Sequence, residues 1–405
     1  MLCFGIGATR RHDANRHDGI YPSRSSLTAE KPVSQLIDSK SIVHNLICTA
    51  LRGEKVDWPD AGELDSYATL LAQATRHGVD ALLCHQLNLT ADWAQVPGYV
   101  KDALSVCIKN SVAIEMARSK DLASLCASLE QEHIPTLILK GAALAHTHYP
   151  EAYLRSRCDT DIYIAPQTIR RFRDLSVGLG YQLSGFIYKS HQFNCFKTTF
   201  GGGAVNYDVH WRPANWPKYA RVLGYEELWS SAVSIPKLAG AFTLSPVHSL
   251  LLACMHRAGS ARHDPDRLIW LYDIHLLMSG LSQRESIEFA RRAVRGNIQR
   301  ECRDAIEKAH ECFATSIPEE VLNTLAASGD LDSAGRRFSN SSLGLIVDDL
   351  KQLPDIPSRV ELMREYLFPS GDYLLARYGR KGLIWVPLLY LKYVLVGLFE
   401  RVSLR

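Results

Sequence analysis

Two short motifs between Lys140 and Asp161 decide the fold that this sequence predicts. The first is Lys140-Gly141-Ala142-Ala143, and Asp159-Thr160-Asp161 follows eighteen residues after Gly141. One residue separates the two aspartates, so on a strand both side chains leave the same face. A third carboxylate, Asp208, lies in another predicted strand, Ala204–Trp211. Such a set suits Mg²⁺, which takes oxygen ligands and keeps positions open for substrate phosphates. The pattern therefore indicates nucleotidyl transfer.

The stretches around these motifs predict an α+β core. The apolar run Thr136–Leu139 is typical of a buried strand, and the glycine of the first motif ends it and opens a helix. Tyr149-Pro150 ends that helix, and Asp161–Ile164 forms the next strand. A triple glycine at 201–203 indicates a turn between two hairpin strands. Later elements are predicted as a basic amphipathic helix over 167–179 and strands over 181–188, 192–199 and 204–211.

The hydrophobic pattern divides the chain into five segments around a small mixed sheet. Apolar positions at helical spacing predict helices on both sides of the sheet, with the strongest runs over 61–87, 100–129, 246–258, 267–278 and 285–313. The predicted segments are a disordered tail (1–35), an N-terminal helical region (36–133), the α/β core (134–213), a helical domain (214–360) and a C-terminal hydrophobic helical segment (361–405).

Composition excludes several classes of protein. Of the 405 residues, 46% are hydrophobic and 22% are charged, which is ordinary for a globular protein with a large core. The net charge of +3 is too small for a general nucleic-acid binder, so we expect no long nucleic acid as partner. The ten cysteines form no CxxC pair, which argues against a zinc ribbon or a thioredoxin-like motif. Scattered cysteines and no recognisable secretory signal favour a cytoplasmic location.

The C-terminal run Leu383–Phe399 is unusually apolar. Its seventeen residues contain one charge, Lys392, and one proline, Pro387, and basic residues flank it. The run is just short of a membrane-spanning length. A buried helix packed on the helical domain is the first interpretation, and a helix at a membrane surface or a partner surface is the second. A peripheral membrane contact through 383–399 therefore stays open.

The central motifs resemble those of the DNA polymerase β-like nucleotidyltransferase superfamily, in which a small-residue turn opens a helix, Asp-x-Asp lies on the next strand, and a third Asp lies on a later strand. Within it, the chain is most similar to the bacterial uncharacterised nucleotidyltransferase family. The matching residues are Lys140-Gly141-Ala142-Ala143, Tyr149-Pro150, Arg155, Asp159-Thr160-Asp161, Asp208-Val209-His210-Trp211, His256, Trp270-Leu271-Tyr272-Asp273, Phe368-Pro369-Ser370 and Arg377-Tyr378.

The resemblance implies a role for each central residue. Asp159, Asp161 and Asp208 would be the catalytic and metal ligands for two Mg²⁺ ions, with Mn²⁺ as an alternative, and Asp208 would help to deprotonate the acceptor hydroxyl. The backbone N–H groups from Gly141 to Ala143 would hold the β- and γ-phosphates of an NTP at a helix N-terminus. Lys140 would contact the nucleotide, and Arg155 would contact the triphosphate or a nearby carboxylate.

The resemblance also implies the reaction: an NMP passes from an NTP to an acceptor hydroxyl or phosphate, and pyrophosphate leaves. The acceptor stays open among a small molecule, a saccharide, a peptide and a protein. His210, His256 and Asp273 are possible acceptor-site or supporting residues. For His210 a structural hydrogen bond is the first interpretation, and for His256 and Asp273 it is a polar contact between helices.

Two residues depart from the pattern. Thr160 replaces an apolar middle residue of Asp-x-Asp, and Ala142 replaces a serine whose hydroxyl would face a phosphate. They support a competing hypothesis, a catalytically weak or inactive nucleotide-binding module. A third hypothesis is a toxin-type nucleotidyltransferase that acts on RNA or protein.

Overall fold

The structure is a computed structural model. It describes residues 33–58, 64–183, 191–198, 203–260 apart from 215, 217 and 221, 266–326 and, with gaps, 347–393. The predicted tail over 1–35 lies almost wholly outside the described residues, and a helix already begins at Val33.

Helices precede the sheet. The apolar run over 61–87 forms two helices, because Gly78 between them takes a φ of +69°, which glycine adopts without steric cost. The run predicted over 100–129 is one helix that extends slightly past both predicted ends. The helices are α1 (Val33–Leu51), α2 (Leu64–His77), α3 (Asp80–Leu89) and α4 (Gly98–Gln131).

The described strands form one mixed sheet, which confirms the predicted α+β class. In space their order is β3-β4-β5-β2-β1-β7-β6. β1 pairs antiparallel with β2, β2 pairs parallel with β5, and β4 and β5 form the predicted hairpin. The strands are β1 (Thr136–Leu139), β2 (Thr160–Ile164), β3 (Gln182–Leu183), β4 (Gln192–Thr198), β5 (Ala204–His210), β6 (Val233–Ser234) and β7 (Phe242–Thr243).

Strands β6 and β7 lie in the segment that the sequence predicted as helical. Each has only two residues, too few to show the alternation that identifies a strand. β7 extends the sheet by pairing parallel with β1, and the Thr243 hydroxyl donates to the Ile138 carbonyl at 2.7 Å. The third strand is described only over Gln182–Leu183, so most of the predicted strand over 181–188 lies outside the described residues.

Two helices interrupt the strands of the core. α5 (Lys140–Thr147) begins at the residue after β1, and α6 (Ile169–Gly178) follows β2. The turn into α5 is tight because Lys140 takes a φ of +52°, an uncommon conformation for a residue with a side chain. The first N–H groups of α5 therefore lie at the edge of the sheet, beside the start of β2.

The described residues after the hairpin are mostly helical. The prediction of a single helix over 285–313 is wrong, because the structure has two helices there. The break lies where Gly296 caps the first helix and Asn297 takes a φ of +53°. The helices are α7 (Tyr225–Ser230), α8 (Pro246–Ser260), α9 (Leu268–Gly280), α10 (Gln283–Arg295), α11 (Gln299–Phe313), α12 (Glu319–Ala326) and α13 (Ile356–Leu367).

Buried side chains form two hydrophobic clusters. The larger one joins α1, α2 and α3 to α8, α9 and α11, and Leu137 and Leu139 of β1 also belong to it. The smaller one lies between the sheet and the helices α4 and α6, with Phe172 packed against Phe193 at 6.0 Å between ring centroids. The first cluster holds the N-terminal helices against α8 and α9, and these two helices face the edge of the sheet where β2 begins.

The C-terminal apolar run is described only as far as residue 393, and 394–399 lie outside the described residues. Within it, Leu389 is buried, whereas Ile384, Leu388 and Leu391 are exposed. None of the described helices combines the length and the apolar character needed to cross a bilayer.

Candidate active site

The three predicted carboxylates come together on and beside β2 and β5, two central strands of the sheet. Asp161 and Asp208 are register partners on the parallel strands β2 and β5, and Asp159 directly precedes β2. All three line one cleft of about 400 Å³. Thr160 is buried, as the alternation of a strand requires for the residue between two cleft-facing side chains.

Lys140 and His210 both bind Asp161. The ammonium of Lys140 lies 2.7 Å from Asp161 Oδ1, and Nε2 of His210 lies 2.8 Å from the same oxygen. Burial acts to raise the pKa of Asp161, but Lys140 and His210 outweigh burial and hold that pKa below its usual range. Burial likewise acts to lower the pKa of Lys140, and the charge of Asp161 reverses this effect. Asp161 is therefore an anion, and Lys140 is a cation.

The other two carboxylates, Asp159 and Asp208, have raised pKa values. Burial, followed by the charges of Asp159 and Asp161, raises the pKa of Asp208 to about 7. Burial, followed by the charge of Asp161, also raises the pKa of Asp159 above its ordinary value. Asn194, the register partner of Asp208 on β4, donates a hydrogen bond to Asp208 Oδ1. The cluster holds more negative charge than Lys140 neutralises.

The N-terminus of α5 lies against the same cleft. No side chain caps this end, since Leu139 occupies the N-cap position. A Cβ on Gly141 would meet the Arg155 guanidinium carbon at 2.9 Å, so glycine is required by a side chain of this chain itself. Ala142 and Ala143 are buried in the smaller hydrophobic cluster. Ala142 therefore has a packing role, and a serine there would bring a hydroxyl into that core.

Arg155 makes a buried ion pair with Asp273. Its Nε lies 2.8 Å from Asp273 Oδ1 and its Nη2 lies 2.6 Å from Oδ2, a two-pronged geometry. The Tyr149 hydroxyl donates to Asp273 Oδ1 at 2.9 Å. Burial acts to lower the pKa of Arg155, but the charge of Asp273 outweighs burial and raises it. The pair ties the loop before β2 to α9, and Arg155 still lines the cleft.

His256 contacts aromatic rings, whereas the expected polar partner, Asp273, binds Arg155 and Tyr149. The His256 ring meets the rings of Trp270 and Trp216 edge-on, with centroids 4.9 and 6.4 Å away. Burial, followed by the charge of Lys140, lowers the pKa of His256 to about 3. The ring is therefore neutral at physiological pH. It lines the same cleft as the carboxylates.

Sequence reasoning missed several residues of the site. Trp216 and Arg267 line the cleft, with the Arg267 guanidinium 5.4 Å from the centre of the Trp270 ring. Neither Trp216 nor Arg267 stands in a recognisable motif, so no sequence signal identifies them. Asn194 had a usable signal, because the predicted hairpin places it opposite Asp208 once the register is known.

A second ion pair supports the loop that carries Asp159. The guanidinium of Arg157 binds the carboxylate of Glu115 on α4 at 2.7 and 2.9 Å. Nη1 of Arg118, also on α4, donates to the Arg157 carbonyl at 2.6 Å. These contacts hold the backbone immediately before Asp159 against a long helix, so the position of this carboxylate depends on α4.

Comparison with known proteins agrees with this geometry. No curated protein matches the chain. A protein family described as uncharacterised nucleotidyltransferase matches residues 65–314, which include the three carboxylates, the N-terminus of α5 and the Arg155–Asp273 pair. The match covers more than half of the chain, and the chain therefore belongs to the uncharacterised nucleotidyltransferase family.

Proposed function

We propose that the protein is a Mg²⁺-dependent nucleotidyltransferase that transfers NMP from an NTP to an acceptor hydroxyl or phosphate. An acceptor oxygen forms a bond to the α-phosphorus, the bond from that phosphorus to the bridging oxygen breaks, and pyrophosphate leaves. One observation carries the proposal: Asp159, Asp161 and Asp208 meet in one cleft beside the uncapped N-terminus of α5.

The donor set fits Mg²⁺. The three carboxylates offer oxygen ligands only. Burial, followed by the charges of neighbouring aspartates, raises the pKa values of Asp159 and Asp208. Asp159 and Asp161 would hold two ions, Asp208 would share one of them, and Mn²⁺ would serve as an alternative. Bound there, the metal would neutralise charge on the triphosphate.

The phosphates would bind between Lys140 and α5. Residues 141–143 offer N–H groups that no side chain caps, and the positive end of the helix dipole favours an anion. Lys140 lies between this helix end and Asp161, so its ammonium can contact a phosphate while it still neutralises the carboxylate. Arg155 would hold Gly141 in place and offer its remaining N–H groups to the nucleotide.

Asp208 would accept the proton of an acceptor hydroxyl. A general base works best when its pKa lies near the working pH, and the pKa of Asp208 is about 7 before any cation is bound. His210, fixed on Asp161, would orient that neighbouring carboxylate. The protein then acts by positioning and charge neutralisation.

One group of cleft residues suits an uncharged or aromatic part of the substrates. This group consists of Trp216, Trp270 and the neutral His256, and Arg267 adds a cation. The net charge of +3 argues against a long nucleic acid as acceptor. We therefore keep a small molecule, a saccharide, a peptide and a protein as acceptors. The exposed Ile384, Leu388 and Leu391 support a peripheral membrane contact of a cytoplasmic enzyme.

The test incubates purified protein with each radiolabelled NTP, Mg²⁺ and cell extract. Pyrophosphate release and label transfer are compared with those of an Asp159→Ala/Asp161→Ala variant, and Asp174→Ala, at an exposed position of α6, is the control. We expect turnover in the wild type and in the control only. Nucleotide binding without turnover would support the inactive binding module. Label on RNA would favour the toxin-type enzyme, whereas label on protein fits both enzyme hypotheses.

A further inference from the structure

Two cysteines and a histidine come together far from the carboxylate cluster in the chain. His44 and Cys48 lie four residues apart on α1, so their side chains leave the same face of the helix. Cys312 lies in the last turn of α11, 264 residues after Cys48. The ligand atoms of these three residues all lie within 4.8 Å of one another. Helix packing alone brings the three together.

We propose that His44, Cys48 and Cys312 bind a zinc ion that fastens α1 to α11. This site is separate from the proposed function, since none of its residues lines the carboxylate cleft. Two sulfurs and one imidazole nitrogen suit Zn²⁺, whereas Mg²⁺ takes oxygen ligands. Three protein ligands leave a fourth tetrahedral position for water.

The spacing of the three ligand atoms is close to that required. Zinc bonds of about 2.0–2.3 Å place tetrahedral ligand atoms roughly 3.5–3.8 Å apart. The 4.8 Å limit exceeds this by about 1 Å, which small rotations of the side chains would close. Cys48 and Cys312 are buried, and His44 is half-buried.

The three ligand side chains already contact one another. Cys312 shares hydrogen bonds with both Cys48 and His44. Zinc binds cysteine as the thiolate, so metal binding would release protons from these thiols. The nearby cations are paired with carboxylates, Arg52 with Glu54 at 2.7 Å and Lys308 with Glu311 at 2.6 Å.

The backbone around the cluster is held as a metal site requires. Nη1 of Arg52, the residue directly after α1, donates to the carbonyl oxygen of Cys312 at 2.9 Å. This contact fixes the end of α11 on α1 before any metal binds. A preorganised site of this kind would stabilise the packing of the N-terminal helices on α11 without touching the cleft.

The chain provides a matched control on the same helix. Cys302 of α11 is buried and shares a hydrogen bond with Cys254 of α8, so it is also one of two neighbouring cysteines. Among the described residues, however, the one cluster of three possible metal ligands is that of His44, Cys48 and Cys312, so Cys302 and Cys254 have no third ligand beside them. A serine at 302 removes a buried thiol and leaves the proposed site intact.

The experiment uses the full chain, stripped with a chelator under reductant and then given Zn²⁺ or Co²⁺ in excess Mg²⁺. We expect about one zinc per chain, a thiolate-to-cobalt charge-transfer band and a higher Tm with zinc. Cys48→Ser and Cys312→Ser should lose the band, whereas Cys302→Ser and Asp159→Ala/Asp161→Ala should keep it. His44→Gln should weaken zinc binding by at least the ~10–100-fold seen when a supporting group is lost.

Any one of the following results would overturn the proposal: no charge-transfer band in the wild type, equal loss of the band in Cys302→Ser, or loss of zinc in the carboxylate variant. A Cys48–Cys312 disulfide with no zinc uptake after reduction would also overturn it. Circular dichroism checks the fold of each variant. If the serine variants do not fold, His44→Gln decides, because His44 is only half-buried.

Discussion

Asp161 on β2 and Asp208 on β5 are register partners on adjacent parallel strands, and both face the same cleft. Lys140 and His210 both contact Asp161, at 2.7 and 2.8 Å, whereas Asp208 accepts a hydrogen bond from Asn194. The two carboxylates therefore differ in charge state: the pKa of Asp161 lies below its ordinary value, whereas that of Asp208 is raised to about 7. Asp161 is a permanent anion, and Asp208 is the group that exchanges a proton near neutrality.

The raised pKa of Asp208 predicts a pH-dependent stability in the absence of metal. Between the unfolded pKa of about 3.9 and the folded pKa of about 7, the folded protein binds more protons than the unfolded one. The free energy of unfolding therefore falls as pH rises through this window. We expect Asp208→Asn to be more stable than the wild type at pH 8 and to differ little at pH 4, as measured by urea unfolding with EDTA.

The control for this prediction is Asp174→Asn, which removes a carboxylate that is 76% exposed. It should change the free energy of unfolding little at either pH. The opposite result would contradict the prediction. If the free energy of unfolding of the wild type rose with pH relative to that of Asp208→Asn, Asp208 would be stabilised as an anion in the folded protein.

Lys140→Met should reduce kcat/KM by about 10²–10³-fold, because it removes the cation placed between Asp161 and the N-terminus of α5. Steady-state pyrophosphate release measures the effect. Lys197→Met is the control, since Lys197 Nζ donates to the Leu179 carbonyl at 3.1 Å and does not line the cleft. Equal activity of the two variants would show that Lys140 has no role in the proposed reaction.

Asp273→Ala should destabilise the protein by about 3–5 kcal/mol, since it leaves the buried Arg155 without its counter-ion. Urea unfolding measures the loss. The exposed pair Arg303–Glu307, at 2.8 Å, provides the contrast: Glu307→Ala should cost only about 0.3–0.5 kcal/mol. A loss at Asp273 no larger than the loss at Glu307 would contradict the structural role of the Arg155 pair.

Gly141→Ala should displace Arg155, because the new methyl group would lie 2.9 Å from the guanidinium carbon. We expect a loss of about 1–3 kcal/mol in the free energy of unfolding, together with lower activity. Gly178→Ala, with open space around its Cβ position, should be neutral or mildly stabilising. If Gly141→Ala retained full stability and activity, the close approach of Arg155 to the turn would be shown to matter for neither.

Much of the core was predictable because its signals are local. The apolar run of β1, the glycine turn and the Asp-x-Asp spacing each depend on residues a few positions apart, and the structure places them as the alternation of a strand requires. The breaks at Gly78 and at Gly296–Asn297 were missed, because hydrophobic periodicity continues across a change of helix direction.

The partners of the site residues were less predictable. Arg155 was expected at the triphosphate or at a nearby carboxylate, and the structure identifies that carboxylate as Asp273, 118 residues away. His256 was expected beside Asp273, and it packs against Trp270. A periodic pattern tells which face of an element is polar, but it does not identify the residue that meets that face.

The sequence by itself determined the α+β class, the β1–α5–β2 core and the three carboxylates, since strand alternation and turn chemistry are properties of neighbouring residues. Tertiary structure alone decided that Asp208 is the carboxylate with a pKa near 7 and that Cys48 and Cys312 meet. Both outcomes depend on burial and on charges brought close by packing. These contacts join residues dozens to hundreds of positions apart, and local sequence holds no record of them.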